Sequence, residues 1–137
     1  MDSAEEITAV ATRWMEEIWR KRDLAAFDQI HAPDFVDRSS AGRASDRTSY
    51  RQGIVELFAA FPDWEAITDE LVVDVATNKV AVRWTATGTH QAEFLGVAAS
   101  FKRVTFRGIE IVRIEGSQIV ERWGEWNGIE LLQQLGA

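Results

Sequence analysis

Cysteine is absent from this chain of 137 residues, and histidine occurs only twice, as His31 and His90. No disulfide framework, thiol nucleophile or cysteine-bearing zinc site is available, and two isolated histidines are poor material for a metal. Basic residues are also scarce: 15 Lys and Arg stand against 22 Asp and Glu, for a net charge of −7. Short pairs and triplets such as Arg20-Lys21-Arg22 and Lys102-Arg103 offer nothing that would track a phosphate backbone, so nucleic acid is not expected as a partner. No segment approaches the roughly 18 apolar residues of a membrane span, and the opening MDSAEEITAV lacks the basic head and apolar run of a signal peptide. The chain reads as a soluble cytoplasmic protein with no membrane partner.

What the chain does have is aromatic surface, with six Trp and seven Phe. Such side chains fill a core or line a cavity for a flat, greasy ligand, and composition alone does not choose between the two. The length suits one domain over 1–137, large enough to bury roughly two-thirds of its unfolded surface around one core. Chemistry must then come from carboxylates, His, Arg, aromatics and backbone.

The first half carries helical spacing. Ser3 followed by Glu6 makes a capping box ahead of Ile7, Val10, Trp14, Met15, Ile18 and Trp19. Asp23 can cap a short second helix carrying Leu24, Phe27 and Ile30. HAPDFVD is an irregular entry into a short extended segment, and residues 38–46, RSSAGRASD, form a loop. A third helix is expected over about Thr48 to Phe61, presenting Tyr50, Ile54, Leu57 and Phe58 and stopped by Pro62. The second half alternates with the period of strands: Trp64 to Val75, then VAVRWTATGTH, then VTFRGIEIVRI, then QIVERWGEW, before the short amphipathic helix of GIELLQQLGA. Helices first and hairpin-linked strands second is an α+β order, in which a long curved sheet wraps the helices and leaves a cone-shaped cavity.

One strand has an anomaly. Along VTFRGIEIVRI one face collects Val104, Phe106, Gly108, Glu110, Val112 and Ile114, so a single carboxylate interrupts an apolar row. Burial would raise its pKa and poise it as an acid or base; a structural ion pair is the plainer reading. The next strand decides its neighbours. A three-residue loop Glu115-Gly116-Ser117 places Glu110 opposite Arg122, on the face of Val120, Gly124 and Trp126. A two-residue loop Gly116-Ser117 places it opposite Trp123. Arg122 beside Glu110 would oppose the effect of burial, and the net direction stays open at this level.

The runs VAVRWTATGTHQAEFLGV, KRVTFRGIEIVRIEGSQIVERWGEW and LLQQLG, with DLAAFDQIHAPDFVD before them, resemble the SnoaL-like polyketide cyclase family over roughly residues 5 to 136. That family belongs to the nuclear-transport-factor-2-like superfamily of cone-shaped α+β barrels. The resemblance implies intramolecular aldol ring closure by acid/base side chains with no cofactor and no metal, on a hydrophobic small-molecule ligand, and a homodimer. The family's catalytic aspartate falls on Gly124 of this chain, so that acid is missing. Its accompanying histidine falls on Glu110, an asparagine near the pocket entrance falls on Asp37, and the histidine of TGTH is kept as His90. The loop Gly96-Val97-Ala98-Ala99-Ser100-Phe101 lacks the prolines usual there.

The resulting candidates are Glu110 as proton shuttle, Arg122 and His90 as groups that polarise or stabilise an enolate-like oxygen, and Asp37 as a positioning carboxylate. Asp37 reads equally as a turn residue bonding the backbone beside Ser39. Trp14, Phe58, Trp84, Phe106 and Trp126 are candidate walls, and Gly124 leaves volume for a ligand or a water. His31 reads as a helix cap or surface residue. Arg103, Arg107 and Arg113 share the opposite sheet face with Ile109 and Ile111, which suits a dimer contact or a solvated face. Aldol cyclisation or isomerisation is the first functional reading; epoxide or ester hydrolysis by paired carboxylates, and ligand binding without catalysis, are the alternatives.

Overall fold

The computed structural model describes residues 3–136. Its first helix, α1 (Ala4–Arg13), begins on the expected capping box: Ser3 Oγ accepts from the Glu6 N–H at 3.2 Å, and the Glu6 carboxylate accepts from the Ser3 N–H at 3.4 Å. The chain then widens into a π-helical segment, Trp14–Arg20, where the Lys21 N–H reaches the Glu16 carbonyl at 3.1 Å. This widening has a packing consequence. Residues five apart in an α-helix lie about 140° from each other, whereas the π turn aligns them. Trp14 and Trp19 consequently meet edge to face, 5.8 Å between ring centroids.

Asp23 caps α2 (Leu24–Ile30), its Oδ1 accepting from the Ala25 N–H at 3.0 Å. HAPDFVD is more ordered than its sequence suggests. It forms β1 (His31–Asp37), an edge strand parallel to the last strand of the sheet, with Pro33 tolerated because the register is irregular there. After the loop at 38–46 comes α3 (Arg47–Ala60), one residue offset from the expected span. Four antiparallel neighbours follow or close the order: β2 (Glu65–Asp74), β3 (Lys79–Thr89), β4 (Arg103–Glu115) and β5 (Gln118–Trp126), and then α4 (Gly128–Leu135). The sheet order is β1-β5-β4-β3-β2, an α+β architecture with a five-stranded mixed sheet that stays open, β1 and β2 being its edges.

Alternation along β3 and β4 sends Val80, Val82 and Trp84 and Val104, Phe106 and Val112 inward, where they bury against Ile7, Trp14 and Ile18. The outward face of β4 leaves Ile109 and Ile111 half exposed among Arg103 and Arg107. Neither of the two hairpin registers drawn from the sequence is the observed one. Gly116-Ser117 is a two-residue turn, with Glu115 paired to Gln118 and Ile114 to Ile119, but Arg113 then pairs with Glu121 and Val120 is left over. That β-bulge reverses the parity of the rest of β5. Without it Trp123 would face inward opposite Glu110; with it Glu110 pairs Gly124, and Arg122 points inward two pairs away, opposite Val112.

Candidate active site

Three adjacent strands converge on one ionic cluster. β5 lies between β1 and β4, and its Arg122 reaches both ways. Arg122 Nε and Nη2 donate to Glu110 Oε1 at 2.9 and 2.8 Å, and Nη1 donates to Asp37 Oδ1 at 2.7 Å. Asp37 and Glu110 are buried, at 4% and 5% exposure. Asp37 also makes the turn bond expected of it, accepting from the Ser39 N–H at 3.0 Å. Ser39 Oγ in turn accepts from the Gly124 N–H at 2.9 Å, which ties the start of the 38–46 loop to β5. The Arg122 guanidinium lies 4.9 Å above the Tyr50 ring.

Burial raises the Glu110 carboxyl from 4.5 to about 7. The charge and hydrogen bonds of Arg122 act in the opposite direction without cancelling it, Asp37 adds to the rise, and a hydrogen bond from Trp84 lowers it slightly. This settles the direction that the sequence left open. Burial also works against the charge of Arg122, but the Glu110 and Asp37 carboxylates beside it hold its pKa above the usual range. Tyr50 is pushed up by burial and remains a neutral phenol.

The cluster forms one wall of a cavity of about 300 Å³. Trp14, Trp84, Phe106 and Trp126 line it as expected, together with Asp37, Glu110 and Arg122. Three candidates stand elsewhere. His90 is fully buried against Phe61, 5.4 Å between ring centroids, and does not line the cavity. Its Nδ1 accepts from the Ser100 N–H at 3.2 Å and sits 2.9 Å from Ser100 Oγ, so it fastens the loop that follows β3. Phe58 lies behind the wall, packing on Trp19 and Trp64 at 6.1 and 6.5 Å. Gly124 leaves no vacancy, because a Cβ there would collide with Glu110 Oε2 and Arg122 Nη2. His31 is the C-cap of α2 but not a surface residue: it is wholly buried, its Nδ1 sits 3.0 Å from the Phe27 carbonyl, and burial lowers its pKa to about 4.

Several lining residues were not singled out from the sequence. Tyr50, Ile54 and Leu57 were visible only as a helical stripe, which equally signals core. Trp19 reaches the cavity through the π turn, and Arg43 comes from a loop without periodicity. Among the described residues no group of three or more His, Asp and Glu side chains is arranged to hold a metal ion, and no helix is long and apolar enough to cross a membrane.

The SnoaL-like polyketide cyclase family profile matches residues 9–135. Among solved structures, AclR from Streptomyces galilaeus, a candidate hydroxylase, superposes with a TM-score of 0.87 at 28% identity, covering 98% of each chain. IdmH from Streptomyces antibioticus, a candidate polyketide cyclase, superposes with a TM-score of 0.82 at 27% identity over 96% of this chain and 99% of its own. TsrD from Streptomyces laurentii shares the fold at 22% identity, with a TM-score of 0.88 over 100% of this chain and 99% of its own. No curated protein sequence matches the chain.

Proposed function

The chain belongs to the SnoaL-like polyketide cyclase family, and from that membership we propose that it is a cofactor-independent acid/base enzyme. Its substrate in this reading is a hydrophobic, carbonyl-bearing small molecule that undergoes aldol cyclisation or isomerisation. The observation that carries the reading is the position of the Glu110 carboxylate, buried in the cavity wall and occupying the space directly over Gly124. The family resemblance places an acid at position 124; here the residue facing it across the ladder supplies one. A carboxyl held at about 7 is half ionised near neutrality, where it can both take and return a proton.

In the proposed reaction ionised Glu110 takes the proton from the carbon next to a ketone, and the electron pair of that C–H bond moves onto the ketone oxygen. In the cyclisation, the enolate carbon then bonds to a second carbonyl carbon of the same molecule, and Glu110 returns the proton to the new alkoxide. Arg122 stays charged throughout and stabilises whichever partner carries the negative charge. Asp37 fixes the guanidinium so that it can do so. The polarising role expected of His90 is not part of the proposal, since His90 stands outside the cavity. The candidate cyclase and candidate hydroxylase among the superposed structures support a small-molecule substrate.

The test uses 2-tetralone, a greasy ketone with acidic protons beside its carbonyl. Wild-type protein is expected to speed deuterium wash-in from D2O, with a rate that rises with pH and levels off above about 7, and Glu110→Gln is expected to lose at least about 100-fold of that rate. Exchange no faster than buffer, or equal exchange in the variant, would sink the acid/base reading in favour of ligand binding. A homodimer, which the family resemblance implies, belongs to the same proposal, and light scattering that returned the mass of one chain would remove it.

A further inference from the structure

Among the described residues two cations line the cavity, Arg122 and Arg43, and they are not equivalent. All three guanidinium nitrogens of Arg122 already donate to Glu110 or Asp37. Arg43 lines the cavity from the 38–46 loop and is exposed, as are the lining residues Ala41 and Leu95. Among the described residues its one ionic partner is Glu56, with Nη2 to Oε2 at 2.6 Å, and the two side chains are 43% and 52% exposed. Water reaches both, so a competing carboxylate can too.

The position of Arg43 is built into α3. Gly53 falls in the middle of that helix, where glycine is otherwise unfavourable. A Cβ on Gly53 would lie 3.1 Å from Arg43 Nε and 3.2 Å from its Cζ, so the missing side chain makes the notch in which the guanidinium rests. The remaining lining charges are the acids Asp37 and Glu110, both buried and both turned to Arg122. In a chain of net charge −7, an anionic ligand gains nothing from the overall field and needs a local cation.

We propose that Arg43, seated in the Gly53 notch, is the residue that selects the ligand: an apolar, carbonyl-bearing molecule that carries one carboxylate, held at the rim while its body lies among the indoles. This inference rests on the cavity being the ligand site of the proposed function. Arg43 acts as a forked donor to that carboxylate, sharing or exchanging it with Glu56.

The experiment is calorimetric titration of anthraquinone-2-carboxylate and, separately, its methyl ester, into wild type, Arg43→Gln, Glu56→Gln and Gly53→Ala. Wild type is expected to bind the acid roughly fivefold more tightly than the ester at low ionic strength, with the gap closing as salt is added. Arg43→Gln should abolish the gap while keeping ester affinity, Glu56→Gln should widen it, and Gly53→Ala should narrow it without changing any charge. Equal affinities for acid and ester in wild type, or a gap that survives Arg43→Gln, overturn the proposal and leave the cavity as a ligand site. Absence of binding by both probes overturns it too, and deuterium exchange into 2-tetralone then decides separately whether the acid/base reading stands.

Discussion

Glu110 and Gly124 face each other across the β4/β5 ladder and compete for one volume. The family's acid cannot simply be restored: Gly124→Asp drives a side chain into the Glu110 carboxylate and the Arg122 guanidinium. Overpacking of this kind costs about 1 to 3 kcal/mol, and a third carboxylate beside Asp37 adds repulsion. Pairing it with Glu110→His removes the collision with the Glu110 carboxylate and the extra charge, and leaves only the contact with Arg122. Urea unfolding is therefore expected to show the double variant more stable than Gly124→Asp alone, a non-additivity that neighbours in contact produce. Glu110 itself was legible in the sequence because a charge in an apolar strand row is conspicuous. His90 was not, because parity shows which way a side chain points and not whether an open cavity or a sealed core lies there. Burial of His31 escaped for a related reason: a helix end looks exposed until the strand that follows it is known to join the sheet.

At the scale of elements, caps and stops fixed most helix boundaries. Ser3 and Asp23 begin α1 and α2 through the hydrogen bonds their positions suggest, and α3 ends just ahead of Phe61-Pro62. The bulge in β5 was not legible, because Gly116-Ser117 suits either turn length and no residue type marks Val120 as unpaired. Its effect is nevertheless decisive, since it is what turns Arg122 inward. Deleting Val120 is expected to keep Arg122 inward: Ile119 stays opposite Ile114, Glu121 opposite Arg113, and β5 becomes regular. Inserting one residue between Glu121 and Arg122 instead offsets Arg122 from Val112 and turns it out. The deletion variant should retain exchange of 2-tetralone to within about tenfold, and the insertion variant should fall by the same factor of about 100 expected for loss of an acid/base group; equal losses in both would show that the bulge itself is required. The π turn was equally hidden, because the apolar spacing of Ile7, Trp14 and Ile18 fits an α-helix throughout.

The whole molecule carries the energetic mark of its site. The folded state holds the Glu110 proton up to a pKa of about 7, and the ordinary value is 4.5. The stability linked to this group is thus fully present below about 4.5 and is lost as pH rises through 7. A shift of this size corresponds to about 3 kcal/mol, an order-of-magnitude figure. Glu110→Gln has no such proton to lose. Unfolding free energies of wild type and variant, measured between pH 4.5 and 8, are expected to diverge in favour of the variant as pH increases; parallel curves would mean a carboxylate ionised throughout. The overall α+β order followed from the change of period between the two halves of the chain, whereas the parallel edge strand β1 required knowing what it would pair with. The indoles have one more consequence. Trp14, Trp19, Trp64, Trp84 and Trp126, five of the six tryptophans, line a single cavity, and Trp123 lies outside it beneath Lys79. The emission of the unlabelled protein is consequently dominated by the walls of its own chamber, and a quinone entering there would darken nearly all of it at once, leaving Trp123 as an internal optical reference.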